Sequence, residues 1–421
     1  MASPGDVSPY DWLVWPEGAL EHALAADTRR RDVMAYLGEK DYATLAPLAR
    51  EAARTRRDPE RVVYIVPGIM GSQLGYPRSG DDPPDLLWVD PLDLQRGRID
   101  ELAADNTRLL SLGPAPYSHL SLKLRLEIAG FTVRWADHDW RQGVEVAGAT
   151  LAARMNAEPA SRQYVVAHSM GGLVARAALA GAEAGIARLV TLGTPHHGSF
   201  AALQALRASY VSVRRIAQLA PGRTTEALTE RIFARYRSLY QMLPAPIGDG
   251  LDLRRADSWP DSSPRPDPAL RAEAGPPALP WAEGRSCCIA GVGFDTVSAV
   301  TLEDAQFRYH VTGDGDGTVS SSSAAPDGVP AWYCSVLHGE LPRDATVASA
   351  IVDLLDAGCT QALPTEPPAA SRASRSITDT VLREACATKL DWSRMTAAQR
   401  REWFDGLNRP VAAGSILEDF P

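Results

Sequence analysis

The stretch of sequence that decides the fold is Tyr164-Val165-Val166-Ala167-His168-Ser169-Met170-Gly171-Gly172. It starts as a short apolar run of the kind that forms a buried strand, and it continues through two Gly residues into an Ala-rich helical segment. A nucleophile elbow requires this order, because a sharp turn from strand to helix lifts the Ser hydroxyl above the sheet while small neighbours prevent clashes. Ala167 replaces the first Gly of the usual motif, and an ordinary glycine-rich turn is the less favoured alternative. We therefore predict that Ser169 is a nucleophile.

Short apolar runs with many β-branched residues lie on both sides of this stretch, from about residue 62 to about residue 356. Several of them are apolar throughout, which indicates strands that are buried on both faces of a parallel sheet covered by helices. The predicted class is therefore α/β, with a mostly parallel, doubly wound sheet. The predicted strands are 62–66, 132–135, 164–167, 188–192, 287–290 and 332–336.

Three parts are predicted along the chain, of which the first, at 1–58, is a helical extension rich in Ala, Leu, Glu and Arg. The second, at 59–358, is the α/β core. Its strand pattern stops at about 200–284, where helical stretches precede a passage rich in Pro, Asp and Ser, so we expect a helical cap inserted over the sheet. The third part, at 359–421, is predicted to be a linker and a C-terminal helical extension, with capping-box spacing between Thr396 and Gln399.

Charge and cysteine content narrow the class of partner. The chain has 421 residues and a net charge of −9, which would repel a phosphate backbone, so nucleic acid is not an expected partner.

Its most apolar stretch, 62–70, is far shorter than the roughly 20 residues of a membrane span, and no signal-peptide pattern opens the chain. Five Cys residues without a framework spacing indicate reduced thiols, with Cys287 and Cys288 buried on opposite faces of a strand. We expect a cytoplasmic protein, whose oligomeric state the sequence does not define.

A Ser hydroxyl becomes a useful nucleophile only when a base accepts its proton and an acid orients that base. On a fold with a nucleophile elbow, the chain order is Ser, then acid, then His. His338 follows the last predicted strand and precedes a helical segment, as a base carried by a loop should. It is also the only His that comes after the candidate acids, so we predict that it is the base.

The candidate acids are Asp314 and Asp316, in a glycine-rich loop that follows a short apolar run. In hydrolases with a nucleophile elbow, the acid is usually followed closely by an apolar residue that re-enters the fold. Val319 therefore favours Asp316. Asp314 stays open as the alternative. Alternating Asp and Gly also suit a calcium loop, but no Glu follows at the required offset.

Negative charge that develops on a substrate oxygen needs backbone N–H donors, each of which is worth roughly 3 to 4 kcal/mol in the transition state. The amide of Met170, next to the nucleophile, is one predicted donor. The second should come from the loop after an early strand, and the segment 67–72 leaves the first predicted strand at this point. We predict Ile69 as this donor, with Met70 as a close alternative.

These residues belong to a series of sequence blocks that resembles the lecithin:cholesterol acyltransferase-like branch of the α/β-hydrolases, which includes phospholipases and phospholipid:diacylglycerol acyltransferases. The resemblance spans about residues 62–350, and its strength is the shared order of the blocks. They are Val-Pro-Gly-Ile-Met-Gly-Ser-Gln-Leu (66–74), Leu-Leu-Trp-Val-Asp (86–90), Asp-His-Asp-Trp-Arg (137–141), His-Ser-Met-Gly-Gly (168–172), Leu-Gly-Thr-Pro-His-His-Gly-Ser (192–199), Ser-Leu-Tyr-Gln-Met-Leu-Pro (238–244), Gly-Asp-Gly-Thr-Val (315–319) and Leu-His-Gly (337–339).

The resemblance implies an α/β-hydrolase fold with a lid, and a triad of Ser169, Asp316 and His338 that cleaves esters through an acyl-enzyme. It also implies an oxyanion donor at Ile69. Met70 and Trp88 are candidate substrate-binding residues, although a plain core position for Trp88 is an equal alternative.

No metal is expected, because adjacent residues such as His196 and His197 seldom face one ion and the family uses this segment as structure. We interpret the block Asp139-Trp140-Arg141 as an ion pair and packing element.

The predicted function is that of a serine hydrolase for lipid or other apolar acyl esters, without a cofactor. The alternatives are an acyltransferase that uses an alcohol acceptor, an amidase or peptidase, and a binding protein on a catalytically silent hydrolase fold. The predicted partner is a small-molecule or lipid ester, with transient contact to a lipid surface through apolar residues of the cap.

Overall fold

The computed structural model describes residues 8–80, 82–182, 185–246, 251–368, 375–384 and 389–408. The strands in these ranges are β1 (Asp58–Val66), β2 (Ser72–Tyr76), β3 (Asp85–Trp88), β4 (Leu110–Pro114), β5 (Phe131–Trp135), β6 (Arg162–His168), β7 (Arg188–Leu192), β8 (Ser286–Gly291), β9 (Thr296–Glu303), β10 (Gln306–Thr312), β11 (Ala331–Cys334) and β12 (Arg375–Thr378).

The α-helices in the same ranges are α1 (Ala19–Ala26), α2 (Arg30–Leu37), α3 (Glu39–Ala52), α4 (Pro91–Gln95), α5 (Pro116–Ile128), α6 (Val144–Ala157), α7 (Met170–Ala178), α8 (Phe200–Leu206), α9 (Val211–Leu219), α10 (Thr225–Arg231), α11 (Arg237–Gln241), α12 (Pro268–Ala272), α13 (Ser321–Ala324), α14 (Ala345–Ala357), α15 (Asp379–Glu384) and α16 (Ala397–Asn408).

The main sheet has the strand order β11-β8-β7-β6-β1-β5, and every neighbouring pair is parallel. All six strands that the sequence predicts are therefore confirmed, although the last of them ends at Cys334 rather than at 336. Parallel strands need crossover connections, and these connections carry the helices that cover both faces. The chain has an α/β-hydrolase fold.

Alternate residues of β1 pack on opposite faces of this sheet. Val62, Tyr64 and Val66 belong to an apolar cluster that includes residues of α6 and α7. Val63 and Ile65 belong to a second cluster that includes residues of α5 and α14. Because both faces are covered, the strand reads as a continuous apolar run rather than an alternating one.

The sheet order has its switch point between β1 and β6, because the chain builds outward from this pair in both directions. In an open α/β sheet the loops at the carboxyl ends of the strands separate at this point and leave a crevice. The loop after β1 spans residues 67–71, and the turn after β6 carries Ser169. The predicted oxyanion loop and the predicted nucleophile therefore flank the same crevice.

Two small antiparallel sheets, which the sequence analysis does not anticipate, flank the main sheet. One has the order β3-β2-β4 and the other has the order β12-β10-β9. Within the part at 359–421 that is predicted to be a linker and a helical extension, Arg375 and Ser376 instead begin β12 and pair with β10. Their sequence has little strand propensity of its own, and the strand forms because the free edge of β10 supplies its backbone partners.

The described parts of both terminal segments pack on the rest of the chain. Helices α1–α3 form an apolar cluster with Leu120 and Leu124 of α5. At the other end, the capping box before α16 is confirmed: Thr396 N donates to Gln399 Oε1 over 2.9 Å, and Gln399 N donates to Thr396 Oγ1 over 3.2 Å. Trp392 and Trp403 of this segment are buried in the large apolar cluster.

Cys287 and Cys288 are buried in β8, and Cys334 is buried in β11, whereas Cys359 is exposed. All four of these described thiols are free, and Cys386 lies outside the described residues. None of the described helices has the length and apolar character that crossing a membrane requires.

Candidate active site

Ser169 occupies a strained turn between β6 and α7. Its backbone angles are φ 56° and ψ −131°, a combination that a non-glycine residue adopts at a cost of about 1 to 3 kcal/mol. The turn is held by its amide, which donates to Leu192 O over 2.8 Å. A Cβ at Gly171 would lie 2.7 Å from Pro67 O, so α7 can approach the end of β1 only because this residue has no side chain. This geometry is that of a nucleophile elbow.

Ser169, His338 and Asp316 form one chain of hydrogen bonds at the carboxyl edge of the sheet. Ser169 Oγ lies 2.9 Å from His338 Nε2. His338 Nδ1 lies 2.7 Å from Asp316 Oδ2, and since a carboxylate accepts, Nδ1 carries the proton and Nε2 is free to accept from Ser169. Ser169 is 7% exposed and His338 is 8% exposed. The structure thus brings the three predicted residues into one hydrogen-bonded chain, and all three are buried.

The two candidate acids have different surroundings. Asp316 is buried, and its Oδ1 accepts from the amides of Thr318 at 3.0 Å and Val319 at 2.7 Å, which leaves Oδ2 for His338. Asp314 is only partly buried and accepts from the hydroxyl of Ser321. The backbone of the loop therefore fixes Asp316, and not Asp314, against the His.

Two glycines that the sequence analysis leaves unassigned make room for the Asp–His pair. A Cβ at Gly193 would lie 2.7 Å from Asp316 Oδ2 and 3.0 Å from His338 Nδ1. A Cβ at Gly291, the last residue of β8, would lie 2.6 Å from the Cβ of Asp316. Gly193 also has φ 54°, in the left-handed region that favours glycine. The block Leu-Gly-Thr-Pro quoted above is the only sequence signal for this role.

His168 supports the loop of His338 from below. Its Nε2 donates to the carbonyl oxygen of His338 over 2.9 Å, and the two rings pack at a tilt of 40° with centroids 4.8 Å apart. Burial, and then the neighbouring His338, hold the pKa of His168 well below its usual value. A neutral His168 is therefore a fixed hydrogen-bond donor, and its role was not recognised from the sequence.

The predicted oxyanion loop forms a tight turn next to Ser169. Gly71 N donates to Gly68 O over 3.1 Å, which closes a four-residue turn with Ile69 and Met70 at its centre. The turn's own hydrogen bond uses neither central amide. Met70 has φ 64°, as the third residue of a type II turn requires. A Cβ at Gly68 would lie 2.8 Å from the Cβ of Ser169, so the turn lies directly against the predicted nucleophile.

A cavity of about 130 Å³ opens from these groups and extends beneath the cap, by which we mean residues 200–284. Among the described residues that line it, none is Lys, Arg, Asp or Glu. The lining at the sheet comes from the residues of the turn, the elbow and the His338 loop, and the lining from the cap is mainly apolar, including Val213, Ile216, Phe233, Tyr236, Leu239 and Met242.

Trp88, predicted either as a substrate-binding residue or as a plain core residue, is absent from this lining within the described chain. The indole is buried and packs edge-on against Trp140 with centroids 5.3 Å apart. Its Nε1 donates to Met70 O over 3.0 Å. Trp88 thus supports the turn from behind, whereas Met70 and Trp140 line the cavity themselves.

Two polar residues at the start of α5, Ser118 and His119, line the same cavity. The amide of Ala115, just before this helix, donates to Gly71 O over 2.9 Å and joins α5 to the turn. Neither ring nitrogen of His119 has a hydrogen-bond partner in the described part of the protein. Burial lowers the pKa of His119 to about 3, so the ring is neutral at ordinary pH.

The other residues weighed as candidates have structural surroundings. Arg141 is fully buried and pairs with Asp139, with Nη2 and Oδ2 2.8 Å apart, which agrees with the interpretation of an ion pair. His196 lies with its Nδ1 3.3 Å from Arg176 Nη1 and its Nε2 3.2 Å from Thr191 Oγ1. Among the described residues, no group of three His, Cys, Asp or Glu has the arrangement of a metal site.

Comparison with known proteins gives a match for part of the chain. A family model described as a PGAP1-like alpha/beta domain matches residues 150–228, which include β6, Ser169, α7 and β7. No curated protein gives a significant match.

The chain is also similar to two solved structures of the lipase BlEst2 from Bacillus licheniformis. The propeptide form has 15% sequence identity and a TM-score of 0.39, and the match covers 75% of this chain and 54% of that chain. The mature form has 18% identity and a TM-score of 0.35, with 71% and 94% covered. The chain thus spans about half the length of the propeptide form. Neither these structures nor the family model singles out the lecithin:cholesterol acyltransferase branch.

Proposed function

We propose that the protein is a serine hydrolase that cleaves esters of apolar acyl groups. The observation that carries the proposal is the hydrogen-bonded chain from Ser169 Oγ through His338 to Asp316, which opens into an uncharged and mainly apolar cavity. The resemblance to the lecithin:cholesterol acyltransferase-like branch supports a lipid ester as the substrate.

In the proposed reaction, Ser169 Oγ attacks the ester carbonyl carbon while His338 Nε2 accepts the hydroxyl proton. Asp316 stabilises the imidazolium that forms and holds the tautomer that the attack requires. The tetrahedral intermediate collapses when His338 returns the proton to the leaving alkoxide oxygen, which releases the alcohol and leaves an acyl-Ser169 ester. A water molecule then repeats the sequence, with His338 again as the base, and frees the carboxylic acid.

The amides of Ile69 and Met170 are the proposed donors to the negatively charged oxygen of each tetrahedral intermediate. Met170 is the first residue of α7, so its amide has no acceptor within the helix and is free to donate to the substrate. The positive end of the helix dipole also faces the same oxygen. Ile69 lies at the centre of the Gly68–Gly71 turn, whose hydrogen bond does not use its amide. Such fixed donors are favourable in a cavity from which water is excluded.

The character of the cavity favours an uncharged substrate. A phosphate or carboxylate that entered it would lose its water without meeting a Lys or Arg among the described lining residues. An alkyl chain would instead gain free energy for each methylene group that leaves water. This argues for a neutral acyl ester and against a charged peptide.

An acyltransferase is the second candidate, because Ser169 and His338 are each less than 10% exposed. An acyl-enzyme that water reaches slowly survives long enough for an alcohol to accept its acyl group. Product analysis with and without an added alcohol distinguishes the two outcomes.

The test uses the full chain with a fluorophosphonate probe and a panel of esters and amides that share one acyl group. We expect the probe to label Ser169, as located by mass spectrometry, and the esters to be cleaved faster than the amides. Ser169→Ala should abolish labelling and lower turnover by about a millionfold without lowering the melting temperature. Folded wild-type protein that neither reacts with the probe nor cleaves any ester would contradict the proposal, and faster cleavage of the amides would favour a peptidase.

A further inference from the structure

The C-terminal helix α16 contributes a side chain to the cavity. Leu407, near its end, is buried and lines the cavity together with Val213 and Ile216 of the cap helix α9. The carbonyl oxygen of Leu407 accepts from Ser212 Oγ over 3.3 Å, and Ser212 is also a lining residue. A segment outside every sequence block quoted above thus reaches the place where substrate is proposed to bind.

The contact between this segment and α9 continues beyond Leu407. Lys389 Nζ donates to Ala217 O over 2.6 Å and to Ala220 O over 2.9 Å, at the end of α9 where carbonyl groups lack partners within the helix. Leu390 N donates to Gln218 O over 3.0 Å at the same end. A cation at this position also complements the negative end of the helix dipole.

A second group of contacts holds α16 along the length of α9. Trp403 Nε1 donates to Arg215 O over 3.2 Å. Gly406 lies against the Arg215 side chain, whose guanidinium occupies the place that a Cβ at this position would take. The Arg215 side chain of α9 thus packs over α16 directly beside Leu407.

We propose that Leu407 forms the wall of the acyl-binding end of the cavity and sets the length of acyl chain that the enzyme accepts. The cavity is lined by Ser169 at the sheet, by α9 of the cap and by Leu407 of α16. An acyl chain attached to Ser169 and lying along the cavity would then meet Leu407 with its distal carbons. The inference rests on the proposed function, since it assigns the acyl part of the substrate to this end.

The size of the side chain at position 407 should then control the chain-length profile. Leu→Ala removes three carbons, so acyl chains about two carbons longer than the wild-type optimum should fit and gain roughly tenfold in kcat/KM relative to the optimum chain. Leu407→Phe should have the opposite effect and shift the optimum to shorter chains. A role in stability alone would lower activity on every ester by the same factor.

The experiment measures kcat/KM of the full chain on p-nitrophenyl esters from acetate to palmitate. The variants are Leu407→Ala and Leu407→Phe, and Glu402→Ala on the exposed face of α16 is the matched control. Melting temperature and fluorophosphonate labelling of Ser169 are recorded for each variant. If Leu407→Ala does not fold, Leu407→Val removes one carbon and should give a smaller shift in the same direction.

The outcomes separate this inference from the proposed function. Opposite shifts of the optimum for the Ala and Phe variants, with an unchanged profile for Glu402→Ala, support the inference. Wild-type protein that cleaves the esters while all Leu407 variants keep the wild-type profile overturns the inference and leaves the proposed function standing. Protein that cleaves no ester overturns the proposed function first.

Discussion

The carboxyl edge of the main sheet and the cap build opposite sides of one cavity by different physical means. At the edge, Ser169 lies in the turn after β6, His338 lies in the loop after β11, and Asp316 lies in the loop after β10, which returns beside the end of β8. Hydrogen bonds and the absence of side chains at nearby glycines fix these three residues. In the cap, apolar side chains supply the surface, and contacts with residues far away in the sequence hold it. Under the proposed function, reactivity would depend on the edge and selectivity on the cap.

The cap depends on the C-terminal segment, by which we mean the described residues 375–384 and 389–408. Arg207 in the cap is 1% exposed and pairs with Asp379, with Nε and Oδ2 3.0 Å apart. Asp379 also accepts from Tyr309 Oη over 2.6 Å. Loss of one partner of such a buried pair commonly costs about 3 to 5 kcal/mol.

After removal of the proposed nucleophile, the largest effect on activity is expected at the proposed acid, Asp316. Asp316→Asn keeps the shape of the side chain but no longer holds the tautomer of His338 or stabilises its cation, so kcat should fall by roughly 10⁴-fold. Asp314→Asn should change kcat by less than threefold or so, because Asp314 contacts Ser321 rather than His338. Ester turnover and melting temperature of the two variants provide the comparison.

The two variants form a matched pair, since they make the same chemical change two residues apart in one loop. A large loss in Asp314→Asn with a small one in Asp316→Asn would transfer the role of the acid to Asp314. Equal, small losses in folded protein would mean that His338 acts without either carboxylate.

A smaller effect is expected at the turn of the edge. Ile69→Pro removes one amide hydrogen, while Pro suits the second position of a turn of this type. If Ile69 N is the oxyanion donor, kcat should fall by roughly 10² to 10³-fold with little change in KM. Ile69→Ala, which shortens the side chain but keeps the amide, is the control. Equal activity of the Pro and Ala variants would favour Met70 as the donor.

The sequence predicts the edge of the sheet better than it predicts the lining of the cavity. The six strands, the elbow and the position of His338 follow from local patterns, because a parallel strand and the loop after it are written in consecutive residues. The sequence favours Asp316 over Asp314 but does not decide between them, because the decision depends on which carboxylate faces the space that Gly193 leaves open.

Other features of the cavity cannot be predicted from local sequence patterns. Trp88 belongs to a characteristic block, yet its side chain packs behind the Met70 turn, and burial of this kind is decided by the tertiary structure. His119 and Leu407 carry no sequence signal. Each reaches the cavity only because a helix, α5 in one case and α16 in the other, is placed there by packing.

The smallest effect on activity is expected from a group that supports the cap without facing the cavity. Asp90 caps α4, where its Oδ1 accepts from Leu92 N over 2.8 Å. The last residue of this helix, Gln95, donates to Asp391 over 3.0 Å and accepts from Trp392 N over 3.1 Å in the C-terminal segment. Burial raises the pKa of Asp90 to about 7.

The raised pKa of Asp90 fixes the sign of a pH effect on stability. Between about pH 4 and pH 7 the folded protein keeps a proton on Asp90 that the unfolded chain has released, so the free energy of unfolding contributed by this group falls as the pH rises and is constant above. A rise of about three pKa units limits this contribution to the free energy of unfolding to roughly 4 kcal/mol.

Asp90→Asn keeps the capping oxygen and cannot ionise, so it should raise the melting temperature at pH 8 but not near pH 4. Exposed Asp105→Asn is the control for thermal unfolding at both pH values. Because Asp90 lies outside the lining of the cavity, kcat/KM on the optimum ester should stay within about twofold of wild type, and a larger change would mean that the edge and the cap are coupled.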